Sequence, residues 1–180
     1  MLSRRYPSVH VVEAALGARP GSTTLYLDEE LASSTVSQEW RDVVGDGWAQ
    51  QSIEVPVSTF DNLIASLGAP SFAKIDVEGF EAEVLRGLSI PLPAFSFEYQ
   101  ARALHLTVRA IERVLELGPY VFNFTHNLPY GTWPEFRLRV FGGAEELVRA
   151  LKKAAADTPL MFGDVYARLP SAGDTDRTTA

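Results

Sequence analysis

The 180-residue sequence contains no cysteine, which excludes disulfides, thiolate metal sites and a cysteine nucleophile together. It also lacks an excess of positive charge. The formal net charge is -7, and no basic stripe is available to neutralise phosphates, so a general nucleic-acid binder is not expected. No apolar run approaches the roughly 20 residues of a membrane span. The basic start, Met1 to Pro7, runs into an alternating pattern rather than a signal-peptide core. The chain therefore reads as a cytoplasmic protein without a membrane partner. Asn123-Phe124-Thr125 has the spacing of a glycosylation acceptor, which carries no meaning without export.

What is present is the composition of a globular domain, with 46% hydrophobic and 22% charged residues. One domain over residues 1–170 is expected, followed by a small, polar, loose tail over 171–180. The interior alternates strand and helix signals. Strands are predicted at Val9–Leu16, Thr23–Leu27 and Ser52–Val57, the last as an edge strand because it holds Pro56. Residues 31–52 read as a long polar loop. A helix capped at Ser58 or Thr59 carries Phe60, Leu63, Ile64 and Leu67 and stops at Gly68.

The next apolar run, Ser71–Val77, is followed by a helix from about Phe80 to Leu88, with Phe80, Val84, Leu85 and Leu88 on one face. A strand at Ala94–Tyr99 precedes a helix capped by Thr107, with Val108, Ile111 and Leu115 inward. A strand at Tyr120–Phe124, a helix at Ala144–Ala155 and a strand at Asp164–Leu169 complete the series. Strands separated by single helices imply a mainly parallel sheet with helices on both faces. Ligands of such sheets bind outside the carboxyl ends of the strands.

Two strands end in a carboxylate, Asp76 after Phe72–Ile75 and Glu98 after Phe95–Phe97. If those strands are neighbours, both acids overlook one crevice. Glu78 and Glu81 follow Asp76, and Gly79 permits a sharp bend. From the residues alone, Asp76 or Glu78 equally suits a helix cap and Glu81 a dipole partner. Asp76 and Glu78 supply too few of the six or so oxygens that a hard cation needs, so no metal is expected. His10, His105 and His126 lack ligand spacing; His126 carries more weight because it follows a strand end beside Asn127 and Tyr130. The aromatic residues Tyr120, Phe122, Phe124, Tyr130 and Trp133 read as core and rim. Trp40 and Trp48 suit an acceptor lid or simple packing.

Lys74-Ile75-Asp76-Val77-Glu78-Gly79-Phe80-Glu81, followed by Val84-Leu85-Arg86-Gly87-Leu88, resembles the signature of FkbM-type methyltransferases. Val57–Ile64 is similar to the family's approach to that strand. Ala14-Ala15-Leu16-Gly17 with Gly21, Ser33-Ser34, Phe97-Glu98-Tyr99 and Gly163–Arg168 match in order, so the resemblance runs from about Val9 to Arg168. It implies a class I, Rossmann-like α/β fold and S-adenosylmethionine as cofactor. The acceptor it implies is a small molecule methylated on a hydroxyl, such as a sugar or polyketide.

On that pattern Asp76 sits at the boundary of cofactor and acceptor, and Ala14, Ala15 and Leu16 pass the adenine side. Glu78 or Glu98 then orients or deprotonates the acceptor hydroxyl. The family's opening strand with its glycine-rich turn, and the next strand with its ribose-gripping acid, have no counterpart, since Gly45-Asp46-Gly47 lies in a polar loop. The resemblance therefore implies a domain truncated at its N-terminus, with the Lys74–Asp76 strand edge exposed. It also implies that the isolated chain is inactive, with a homo-oligomer as one cover for that edge. The competing reading is a non-catalytic binding or scaffold remnant of the same fold.

Overall fold

The computed structural model describes residues 8–28, 33–45, 51–126 and 135–171. The chain forms β1 (Ala15–Leu16), β2 (Gly21–Tyr26), α1 (Gln38–Val44), β3 (Ser52–Ser58), α2 (Phe60–Leu67), β4 (Ala73–Ile75) and α3 (Glu81–Arg86). It continues with β5 (Ala94–Gln100), a 3-10 turn at Ala101–Ala103, α4 (Leu104–Leu117), β6 (Val121–Phe124), α5 (Ala144–Asp157) and β7 (Phe162–Arg168). A small sheet has the order β1-β3-β2, and a larger one the order β4-β5-β7-β6. The α/β class is as expected.

Two features of the sheet depart from expectation. β4 and β5 are parallel, but β7 pairs antiparallel with both β5 and β6. The return of the chain after β6 is the cause. Gly142 exchanges two backbone hydrogen bonds with Phe122, at 2.8 and 2.9 Å, so the chain has already crossed back along β6 before α5 begins. α5 then makes a second crossing, and β7 must enter from the opposite end.

Among the described residues, α2, α3, α4 and α5 pack on one face of the larger sheet rather than two. Ile75, Phe95, Phe97, Tyr99, Phe122, Phe124, Val165 and Ala167 share a face by register and form one core with residues of α2, α3, α4 and α5. Each large apolar side chain removed from water there contributes about 1.5–3 kcal/mol. The opposite face carries Lys74, Ser96, Glu98 and Asp164. β4 is an edge strand, paired on one side by β5 among the described residues.

Several element boundaries move for local reasons. Only Ala15 and Leu16 of the Val9–Leu16 run pair in a sheet, and Val9, Val11 and Val12 are exposed. Pro56 lies in the middle strand of the small sheet, not at an edge. β1 meets β3 only at Val57 and Ser58, so at Pro56 the strand is flanked on one side alone and no donor is missed. Within the expected 31–52 loop, α1 forms, capped by Ser37 Oγ accepting from Trp40 N at 3.1 Å.

Helix α4 starts three residues before Thr107, which is buried mid-helix. The inward positions are Thr107, Ala110, Ile111 and Val114, while Leu115 faces outward. α2 matches expectation: Thr59 Oγ1 accepts from Asn62 N at 3.2 Å, and Gly68 ends the helix. Gly17 and Gly87 let the segment after β1 approach the carboxyl end of α3, since a Cβ on Gly87 would lie 2.3 Å from the Gly17 carbonyl oxygen.

Candidate functional site: the acidic corner after β4

Five residues, Asp76 to Phe80, make the turn from β4 into α3. Glu78 and Gly79 both take positive φ, 51° and 85°, a conformation that favours glycine at the second position. Glu81 holds the turn. Its Oε1 accepts from Val77 N at 3.3 Å and from Gly79 N at 3.2 Å, and its side chain is 6% exposed. Burial pushes the Glu81 carboxyl up to about 7, against the pull of those backbone donors. Phe80 caps α3 without a side-chain bond, so neither Asp76 nor Glu78 is the helix cap.

The second clamp on the corner comes from the segment before α1. Thr35 Oγ1 donates to the Glu78 carbonyl at 2.7 Å and accepts from Ser37 N at 2.9 Å. Thr35 is itself tied to Tyr26 by two backbone bonds. Trp40 then packs over Gly79, where a Cβ would fall 2.6 Å from the Trp40 Cβ. Glu39 anchors α1 to α4 through Arg109 at 2.6 Å and His105 at 3.0 Å. Trp40 is a packing residue, buried with Ala103 and Leu106; Trp48 lies outside the described residues.

The structure brings Asp76, Glu78 and Glu98 together, with a carboxylate oxygen from each within 4.8 Å of the others. β4 and β5 are neighbours in parallel register, which sets Asp76 beside Glu98. Burial pushes Glu98 up to about 8, helped by the charges of Glu78 and Asp76. Burial also raises Glu78, with Asp76 adding to it and Arg102 opposing. Gln100 Nε2 lies 3.4 Å from Glu78 Oε2 and 3.5 Å from Glu98 Oε2. Arg102 donates to Gln100 Oε1 at 3.2 and 3.0 Å, which turns the amide NH2 toward the two carboxylates. Lys74 Nζ pairs with Asp164 at 2.5 Å and Asp76 at 3.3 Å. Burial works against its ammonium, yet Asp164 and Asp76 hold its pKa above the usual range.

Two cavities border this corner. One, of about 800 Å³, is lined by Ala14, Ala15, Leu16, Asp76, Val77 and Phe80 among others. The other, of about 450 Å³, is lined by Glu78, Glu98, Gln100, Arg102, Leu160 and Phe162 with Asp28, Ser33, Trp40 and Val44. Both fall in the size range of small-molecule sites. Asp76 lines the first, and its carboxylate neighbours the acids of the second.

The histidines lie apart from the cluster. His105 pairs with Glu39 on the surface, and His126 Nδ1 lies 2.7 Å from Tyr99 Oη. Burial lowers the His126 pKa and raises that of Tyr99. Asn127, Tyr130 and Trp133 lie outside the described residues. Asn123 is 2% exposed and donates to the Leu138 carbonyl at 3.0 Å, so it is closed to modification in the fold.

Sequence reasoning overlooked Thr35, Gln100 and Arg102, and it weighed Trp40 as lid or packing without the helix that positions it. A signal existed for Trp40: Ser37 with Glu39 behind it and Gly45 eight residues on is a cap-and-stop pattern. Nothing local marks the other three.

An α/β sheet with acidic strand ends beside two cavities is consistent with a methyl-transfer domain. The model of the methyltransferase FkbM domain matches residues 3–120, and the chain belongs to that family. No curated protein and no solved structure matches it significantly. No helix among the described residues is long and apolar enough to cross a membrane.

Proposed function

We propose that this methyltransferase-family chain uses S-adenosylmethionine to methylate a hydroxyl of a small metabolite. The observation that carries the reading is the placement of Asp76. It lines the larger cavity with Ala14, Ala15 and Leu16 while its carboxylate sits within 4.8 Å of those of Glu78 and Glu98.

The larger cavity fits the adenine and the cationic end of the cofactor. Its walls at Ala15, Leu16, Val55, Pro56, Val77 and Phe80 are apolar, and Asp76 supplies an anion at the edge nearest the other acids. No glycine turn lines it among the described residues, so Ala14, Ala15, Leu16 and Asp76 are the residues assigned to hold the group. When bound, it supplies an electrophilic methyl on a sulfonium.

The chain's own groups do the remaining work in the second cavity. An alcohol becomes a competent nucleophile as its proton is shared, and a base is most effective with a pKa near the working pH. Glu98, raised to about 8, meets that condition. Gln100 fixes its orientation and that of Glu78. Leu160 and Phe162 give the acceptor an apolar wall, and holding acceptor and donor sites against one another supplies the alignment term.

A titration of the full chain with S-adenosylmethionine, followed by amide NMR, tests the reading. Shifts are expected at Ala14, Ala15, Leu16, Val77 and Phe80, with Asp76→Asn weakening the interaction about tenfold, or about 1.4 kcal/mol. Shifts confined to other surfaces, or none at millimolar cofactor, would overturn it.

A further inference from the structure

Trp40 is 2% exposed, yet its indole Nε1 has no hydrogen-bond partner among the described residues. A buried donor left without an acceptor is costly, and native structures pair such groups with protein or ordered water. Together with Glu81, Glu98, Gln100 and Thr107, Trp40 lines a cavity of about 10 Å³. That is about the room one water needs, and the walls offer more than the two polar partners that water requires. The cavity joins the crevice acid Glu98 to the corner acid Glu81. Holding the corner uses only Oε1 of Glu81, which accepts both backbone bonds.

We propose that this cavity is a water site, fixed by the Trp40 Nε1–H, and that its water relays a proton between Glu98 and Glu81. In the step, the water accepts the proton of the Glu98 carboxylic acid as it passes one of its own to the Glu81 carboxylate. Glu98 returns to its anionic form, Glu81 becomes the acid, and the water is unchanged. The charged surroundings favour keeping one proton on the pair. Glu98 faces Asp76 and Glu78 at the corner and Asp164 on β7, while Glu81 faces Glu78. The cations nearby are Lys74, bound to Asp164 and Asp76, and Arg102, bound to Gln100. Burial raises both carboxyls, to about 7 at Glu81 and about 8 at Glu98, so a proton moves between near-matched sites.

The relay stands on the unpartnered indole and the cavity it shares with both acids; its use, to clear the proton that Glu98 takes from an alcohol, rests on the methyl-transfer reading. The test is therefore made on the ligand-free full chain. The Trp40 indole Nε1–H, identified by its loss in Trp40→Phe, is followed by NMR from about pH 5 to about pH 10, a window spanning both carboxyl titrations. A rotating-frame cross-peak to water is expected, with an indole shift that moves in steps at about 7 and about 8. In Glu81→Gln, whose amide oxygen still accepts from Val77 and Gly79, the lower step should vanish while the water cross-peak persists. Absence of the cross-peak, or an indole shift flat across the range, would overturn the relay. Failure of the cofactor titration with these results intact would sink the methyl-transfer reading and leave the relay standing.

Discussion

Replacing Gly79 by alanine tests the central element of this structure, the corner pinned beneath Trp40. Two costs are expected. The backbone at φ 85° places an L-residue in a strained region, worth about 1–3 kcal/mol. The new Cβ would also lie 2.6 Å from the Trp40 Cβ and 3.2 Å from Leu106 Cδ1, and overpacking of this kind costs about 1–3 kcal/mol. Together these predict a loss of about 2–6 kcal/mol, a fall in Tm of about 4–24 °C for a chain of this size. Gly68→Ala separates the terms, because Gly68 has φ 88° but nothing within 4 Å of its Cβ position. Urea denaturation should place Gly79→Ala below Gly68→Ala by at least about 1 kcal/mol. Equal losses, within about 0.5 kcal/mol, would show that Trp40 does not bear on the corner and would remove the clamp from the argument.

Arg113 donates to the Leu85 and Leu88 carbonyls at 3.2 and 2.7 Å, at the carboxyl end of α3. Arg113→Ala is expected to cost about 1.5–3 kcal/mol by denaturation, with Arg113→Lys recovering only part. Glu98 has a folded pKa near 8, above the ordinary carboxylate value. The folded state therefore holds the extra proton between those limits, and the contribution to stability, complete at acid pH, is lost as pH rises through about 8. Glu98→Gln should flatten that decline in a pH series of denaturation curves, and an unchanged slope would refute the assignment. Lys74→Ala leaves Asp76 and Asp164 without their common cation. Carbon NMR should then show the Glu98 midpoint moving higher, with less than about 1 kcal/mol lost from stability because the pair is half exposed; a midpoint that falls would contradict the crowding argument.

Helices and strands with strong local period were legible in the sequence: α2 with its Thr59 cap and Gly68 stop, α5 with its acidic first turn, β5 and β7. The direction of β7 was not, because it depends on the return of residues 135–142 along β6, a tertiary pairing with no periodic mark. Frame errors had a similar origin. In α4, Thr107 suits a cap as well as a helix interior and Leu115 suits an apolar stripe, but packing on β5 chose the frame with Ala110 and Val114 inward. At the site, the proximity of Asp76 and Glu98 followed from one assumption, that their strands are neighbours. The clamps did not follow from anything local. Thr35 and Gln100 lie 43 and 22 residues from Glu78, distances at which only the fold can pair them.

Crowding three carboxylates within 4.8 Å requires an answer to their mutual repulsion, and the corner divides it unequally. Asp76, half exposed, takes the Lys74 ammonium at 3.3 Å. Glu78 and Glu98 share one neutral amide, Gln100, whose donors reach them only at 3.4 and 3.5 Å, a weak answer to a full charge. Burial without a matching cation leaves protonation as the remaining relief, and Glu98 is the group placed to take it. Its neighbour Asp76 keeps its lysine at the cavity edge, while Glu98 gains and releases a proton at about pH 8. Two identical functional groups thus acquire different roles from one lysine and from the depth of a strand, and the turn held by Glu81, Thr35 and Trp40 keeps them close enough for that difference to matter.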